Sequence, residues 1–107
     1  MRLAALALVL LPAAAHAAPD FTAARYSCDR GVDIPATYVN GADGGLVVLH
    51  VDGAQITLLA EPAASGARYG WPSDGSNYVW WTKGDAATLY WKTPEGEATL
   101  LTCTLKA

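Results

Sequence analysis

The dipeptide Asp52-Gly53 constrains this chain more than any other local feature. Leu46-Val47-Val48-Leu49-His50-Val51 precedes it, and Ala54-Gln55-Ile56-Thr57-Leu58-Leu59-Ala60 follows. An Asp-Gly pair between two strand-like runs predicts a hairpin with a type I′ turn, whose two central residues both need positive φ. In the second run Ala54, Ile56, Leu58 and Ala60 fall on one face, and Gln55 and Thr57 on the other. A period of two is the mark of a half-buried strand. Helical spacing fits poorly, because β-branched residues and glycines are too frequent.

Other segments repeat the pattern. Arg25 to Arg30 carries Tyr26 and Cys28 on one side, and Ala36 to Asn40 is bounded by Pro35 and Asn40-Gly41. A short strand is expected near Gly66 to Gly70. Asn77 to Lys83 holds Tyr78, Val79, Trp80 and Trp81, and Ala86 to Lys92 holds Leu89, Tyr90 and Trp91. Pro94-Glu95-Gly96 makes a turn, and Glu97 to Leu105 forms the last strand. About eight short strands separated by turn signals predict an all-β fold, a small antiparallel barrel or sandwich. A barrel has the advantage of leaving no exposed edge. Alternation puts Trp80 and Trp81 on opposite faces, so that one of them fills the interior.

Residues 1–17 read as a secretory leader. One Arg precedes an apolar run from Leu3 to Leu11, then comes Pro12, and Ala15-His16-Ala17 has the small-x-small form cut by signal peptidase. The run is too short to anchor in a bilayer. No cysteine follows it directly, as lipid attachment would require, and Cys28 lies too far downstream. The expectation is therefore one exported, soluble domain, residues 18–107, without a membrane anchor. Without Arg2 it carries six Lys and Arg against ten Asp and Glu, a formal charge of −4. That balance argues against nucleic-acid binding. In an oxidising compartment Cys28 and Cys103 are expected to pair, closing a loop of 75 positions. Cys103 alternates with Leu101 and Leu105, which directs it to the core. Two cysteines and two histidines leave little for a metal site.

Two stretches carry a more specific signal. Ser65-Gly66-Ala67-Arg68-Tyr69 has the form S-G-x-x-Y, and Trp80-Trp81-Thr82-Lys83-Gly84 has the form aromatic-Trp-x-Lys-Gly. With Tyr26-x-Cys28 before them and Cys103 after, the ordered set strongly resembles the MliC/PliC family of periplasmic inhibitors of c-type lysozyme. The resemblance covers about Tyr26 to Cys103. It implies an eight-stranded antiparallel barrel with one disulfide, no cofactor, and insertion of two loops into the lysozyme active-site cleft. Carried over by position, the residues entering the cleft are Ser65 and Lys83. Gly66, Arg68, Tyr69, Trp81 and Gly84 complete the expected interface. The missing lipid-attachment cysteine points to the soluble periplasmic or secreted branch. Family members can dimerise, so a monomer or weak homodimer is expected. The segment Gly70 to Tyr78 is longer than the resemblance leads one to expect. Its hairpin stands either to add contacts through Trp71 or to obstruct the approach.

The chemistry is coherent with these residue types. A retaining glycosidase holds two carboxyl groups about 5 Å apart across the scissile bond. A lysine ammonium entering between them meets an ionised oxygen, and a serine hydroxyl can donate to or accept from the other. An acidic domain is also drawn to a basic enzyme. The plainer readings are a solvated turn lysine and an ordinary turn serine. The same residues admit two rival functions. A hydrolase would use Ser65 with Lys83, or Ser65 with His50 and an Asp, but neither G-x-S-x-G nor S-x-x-K is present. A non-inhibitory glycan-binding or cell-envelope module would use the four Trp and five Tyr for sugar stacking.

Overall fold

Eight strands form, as the alternation predicts: β1 (Phe21–Cys28), β2 (Asp33–Val39), β3 (Leu46–Val51), β4 (Ala54–Glu61), β5 (Ala67–Gly70), β6 (Asn77–Lys83), β7 (Ala86–Thr93) and β8 (Gly96–Leu105). This computed structural model describes residues 4–5, 7–8, 20–42 and 44–107. The expected leader, residues 1–17, falls almost wholly outside the described residues. Each strand pairs antiparallel with the next, and β8 returns to β1, closing an up-and-down barrel. Asp52 and Gly53 have φ of 51° and 76°, the paired positive values of a type I′ turn.

Barrel closure rests on a short ladder. β1 and β8 meet through three partner pairs, Tyr26↔Leu105, Ser27↔Thr104 and Cys28↔Cys103. The last pair is the disulfide, with its Cα atoms 4.0 Å apart. The covalent link therefore sits in register at the seam where chain start and chain end meet. Both sulfurs face inward, as the alternation of Cys103 with Leu101 requires, and both cysteines are buried.

Two strand boundaries differ from expectation. β1 begins at Phe21 and ends at Cys28, where Asp29–Gly31 turns through a single 3₁₀ turn with Arg30 at φ 59°. Asp29 stabilises that turn by accepting a hydrogen bond from the Thr102 backbone N–H at 2.8 Å. β2 begins at Asp33 and so runs through Pro35. Pro35 pairs with Arg25 of β1, whereas the β2–β3 ladder starts only at Ala36. The missing proline N–H thus faces no β3 partner, which is why a strand tolerates it there.

The inward positions make the core. Ile34, Val47, Leu49, Leu58, Trp80 and Leu89 are fully buried. Trp80, the inward member of the Trp pair, is the largest of them. Removing about 200 Å² of indole surface from water contributes about 5 kcal/mol before entropy is counted. Its polar atom is satisfied, because Trp80 Nε1 donates to the Tyr38 hydroxyl at 2.9 Å. That hydroxyl also bonds the Tyr26 hydroxyl at 2.7 Å, and the Tyr26 ring meets Trp80 edge-on at 5.1 Å. A closed polar chain inside an apolar core fixes which ring goes where.

Candidate functional site

In an up-and-down barrel successive connections alternate between the two ends. Connections 40–45, 62–66 and 84–85 therefore share one end, and 29–32, 52–53, 71–76 and 94–95 the other. Ser65 lies in the second connection of the first set and Lys83-Gly84 in the third. The topology brings together the two motifs that the sequence separates by 18 positions. Ser65, Lys83 and Gly84 are exposed there. Gly84 has φ 58°, the positive value a two-residue hairpin turn needs, and an added Cβ would meet nothing.

Gly66 is constrained far more tightly. Its φ is 67°, and a Cβ built on it would lie 2.2 Å from the Thr82 carbonyl oxygen. The backbone of the 62–66 connection thus presses against the end of β6, next to Lys83. Trp81 fixes it from the side, donating its indole N–H to the Ser65 carbonyl at 2.9 Å. Trp81 and Lys83 are two positions apart on β6 and so share its outer face.

Arg68 stands opposite Trp81 on one side and Glu61 on the other. Its Nε donates to Glu61 Oε1 at 2.5 Å, and its terminal nitrogens bond both carboxylate oxygens of Glu97 on β8. The hydrogen bonds to Glu97 first, then the one to Glu61, hold the guanidinium pKa above its ordinary value. Beside the 62–66 connection an open recess of about 360 Å³ is lined by Pro62, Ala63, Ser65, Arg68, Trp81 and Tyr90.

Tyr69, expected with the interface, points inward. It is 9% exposed, packs against Tyr38 with ring centroids 5.7 Å apart, and has its phenol pKa raised by burial. Trp71 is 44% exposed but belongs to the 71–76 connection, at the end opposite Ser65 and Lys83. Only β5, a strand of four residues, separates this hairpin from the 62–66 connection, and Pro72 lines a recess with Leu59, Ala60, Glu61 and Gly70. His50 is exposed near the Asp52-Gly53 turn, also at the far end. Sequence reasoning did not find Glu61 or Glu97, which reach Arg68 from β4 and β8. No spacing in the chain signals a contact made across a curved wall. Among the described residues no group of three or more His, Cys, Asp or Glu is placed to hold a metal ion.

The fold and this end define a class: a small disulfide-closed β-barrel that presents a serine loop and a lysine turn side by side. The family model described as membrane-bound lysozyme-inhibitor of c-type lysozyme matches residues 26–98. The chain belongs to the MliC family. A protein of Cupriavidus necator named membrane-bound lysozyme inhibitor of C-type lysozyme is 40% identical over 87 residues, covering 72% of this chain and 66% of that protein. One of the same name from Pseudomonas aeruginosa is 37% identical over 75 residues, covering 69% of this chain and 56% of that protein. The chain thus spans less than two thirds of either relative. Pseudomonas aeruginosa MliC, in a crystal structure of its complex with hen egg white lysozyme, superposes with TM-score 0.65 at 30% identity, covering 98% of this chain and all of that one. Both relatives are named membrane-bound, while among the described residues no helix is long and apolar enough to cross a membrane.

Proposed function

We propose that this barrel inhibits c-type lysozyme by entering its active-site cleft with the 62–66 connection and the Lys83-Gly84 turn. The observation that carries the reading is the convergence of Ser65 and Lys83 at one end, locked by the Trp81–Ser65 hydrogen bond and the Gly66–Thr82 approach. Family membership and the relative's complex with hen egg white lysozyme support the partner.

The residues account for inhibition without catalysis. Among the described residues Lys83 has no carboxylate partner, so its ammonium is available to an acidic cleft. In a desolvated cleft a charge-assisted hydrogen bond from Lys83 contributes about 1.5–3 kcal/mol. Ser65 supplies a hydroxyl that suits either protonation state of a second carboxyl group. Gly66 and Gly84 allow the backbone to turn close behind each tip. Tyr69 acts from inside the wall, and Arg68 braces the loop base instead of reaching out. The protein works as a soluble periplasmic domain after loss of residues 1–17, in keeping with the absence of a cysteine at the end of the apolar run.

The test is lysis of bacterial cells by hen egg white lysozyme in the presence of residues 18–107, oxidised. Dose-dependent protection is expected. A folded, oxidised protein that fails to protect, yet binds peptidoglycan fragments, would replace this reading with the glycan-binding one. Periplasmic release on osmotic shock tests the location, and retention in the membrane fraction would refute it.

A further inference from the structure

We infer that Trp81 is a positioning residue: its indole N–H holds the Ser65 connection at the height where the serine hydroxyl works, while Lys83 acts independently of it. The inference rests on the lysozyme reading above and goes beyond it by separating the two contact loops energetically.

Three observations converge. Pro62, Ala63, Ala64, Ser65 and Gly66 are all exposed, so the connection has little burial of its own to fix it. An open recess of about 360 Å³ borders it on the side of Arg68, Trp81 and Tyr90, so packing there is sparse. What fixes it is local: the Trp81 Nε1 bond to the Ser65 carbonyl at 2.9 Å, and Gly66 pressed on the Thr82 carbonyl. Trp81 itself is held in the wall, half-buried, in register with Arg68 and Thr88. Arg68, fastened to Glu61 and Glu97, fixes the strand on which the connection ends. Lys83 has no such dependence. It closes the β6–β7 ladder opposite Ala86, and its turn is tied to β8, where the Leu105 N–H donates to the Asp85 carbonyl at 2.8 Å. A loop that is exposed, sparsely packed and tied at one carbonyl samples displaced positions once that tie is cut. A displaced Ser65 must then be reordered on binding, and the reordering weakens affinity.

The experiment is a double-mutant cycle on lysozyme affinity, joined to hydrogen exchange on the free protein. Trp81→Phe keeps a ring in the wall and removes the donor. It should weaken binding about fivefold, as expected for one hydrogen bond. In that background Ser65→Ala should cost less than twofold more, whereas Lys83→Ala should cost the same factor as in the wild type. Exchange at the Ala67 amide, where the connection enters the β5–β6 ladder opposite Thr82, should rise at least tenfold, with the β6–β7 hairpin unchanged. Gly66→Ala, which displaces the same loop by collision with Thr82, should reproduce the pattern if Trp81→Phe folds poorly. Unchanged exchange together with unchanged affinity would overturn the inference. So would full additivity of Trp81→Phe with Ser65→Ala. Wild-type protein that does not bind lysozyme would overturn the lysozyme reading instead, a failure separable because the exchange result does not involve the enzyme.

Discussion

Removing the disulfide should convert a robust barrel into a marginal one. The bond joins residues 75 apart at a seam of three partner pairs. With a loop of that length, the chain-entropy relation gives about 4.5 kcal/mol at 25 °C. A domain of roughly 90 residues has an unfolding entropy near 0.19 kcal/mol/K, so the loss corresponds to a fall in melting temperature of about 20–25 °C. The perturbation is the double variant Cys28→Ala, Cys103→Ala, which avoids leaving a lone thiol or a buried hydroxyl. The assay is thermal unfolding by circular dichroism, checked for reversibility, beside the oxidised wild type. The seam touches one part of the site: Leu105 donates its N–H to the Asp85 carbonyl at 2.8 Å and Cys103 pairs with Ala87, so lysozyme binding at 10 °C, with the barrel still folded, reads whether the Lys83-Gly84 turn keeps its place. A fall of less than about 5 °C would refute the reasoning, since the noncovalent ladders would then close the barrel unaided.

The remaining predictions concern the interior and the arginine clasp. Tyr38→Phe strips the acceptor from Trp80 Nε1 and the partner from Tyr26. It should cost about 1–3 kcal/mol, read as a lower urea midpoint with an unchanged slope. Burial holds the Tyr38 and Tyr69 phenols above their ordinary 10.0. Stability should therefore be full below pH 10 and fall as pH rises above it, because the unfolded chain ionises first. Absorbance of phenolate at pH 11 should show Tyr38 ionising only on unfolding, and its smooth ionisation in the folded state would contradict this. Arg68→Ala leaves Glu61 and Glu97 without their shared cation and should cost about 1–2 kcal/mol, discounted for partial exposure, by denaturant titration. An unchanged midpoint would remove the clasp from the explanation.

What could be read from the chain was what local chemistry decides. Asp52-Gly53 fixes its hairpin through backbone φ alone, and the period of two put Trp80 and Trp81 on opposite faces, leaving the structure to show that Trp80 is the inward one. Cys28 and Cys103 were legible as a pair because there were no other cysteines to choose between. The Ser65 and Lys83 motifs were found by resemblance, and the fold explains their separation in sequence by the alternation of barrel ends. Closeness in sequence between Tyr69 and Trp71 hides that β5, though only four residues long, crosses from one set of connections to the other. Pro35 was read as a boundary, although the staggered β2–β3 register leaves its missing donor harmless. Glu97 reaching Arg68, and Trp81 holding Ser65, were invisible because both depend on how strands curve past one another.

The most direct test compares Lys83→Ala with Lys92→Ala in the lysozyme lysis assay. Both changes remove one positive charge, but Lys92 pairs with Asn77 and Glu97 toward the far end of the barrel. Loss of a desolvated charge-assisted bond should raise the inhibitory concentration about 10- to 100-fold for Lys83→Ala. Lys92→Ala should stay within about twofold, as an outlying surface charge does. Equal potency of the two variants would contradict a lysine-led entry into the cleft.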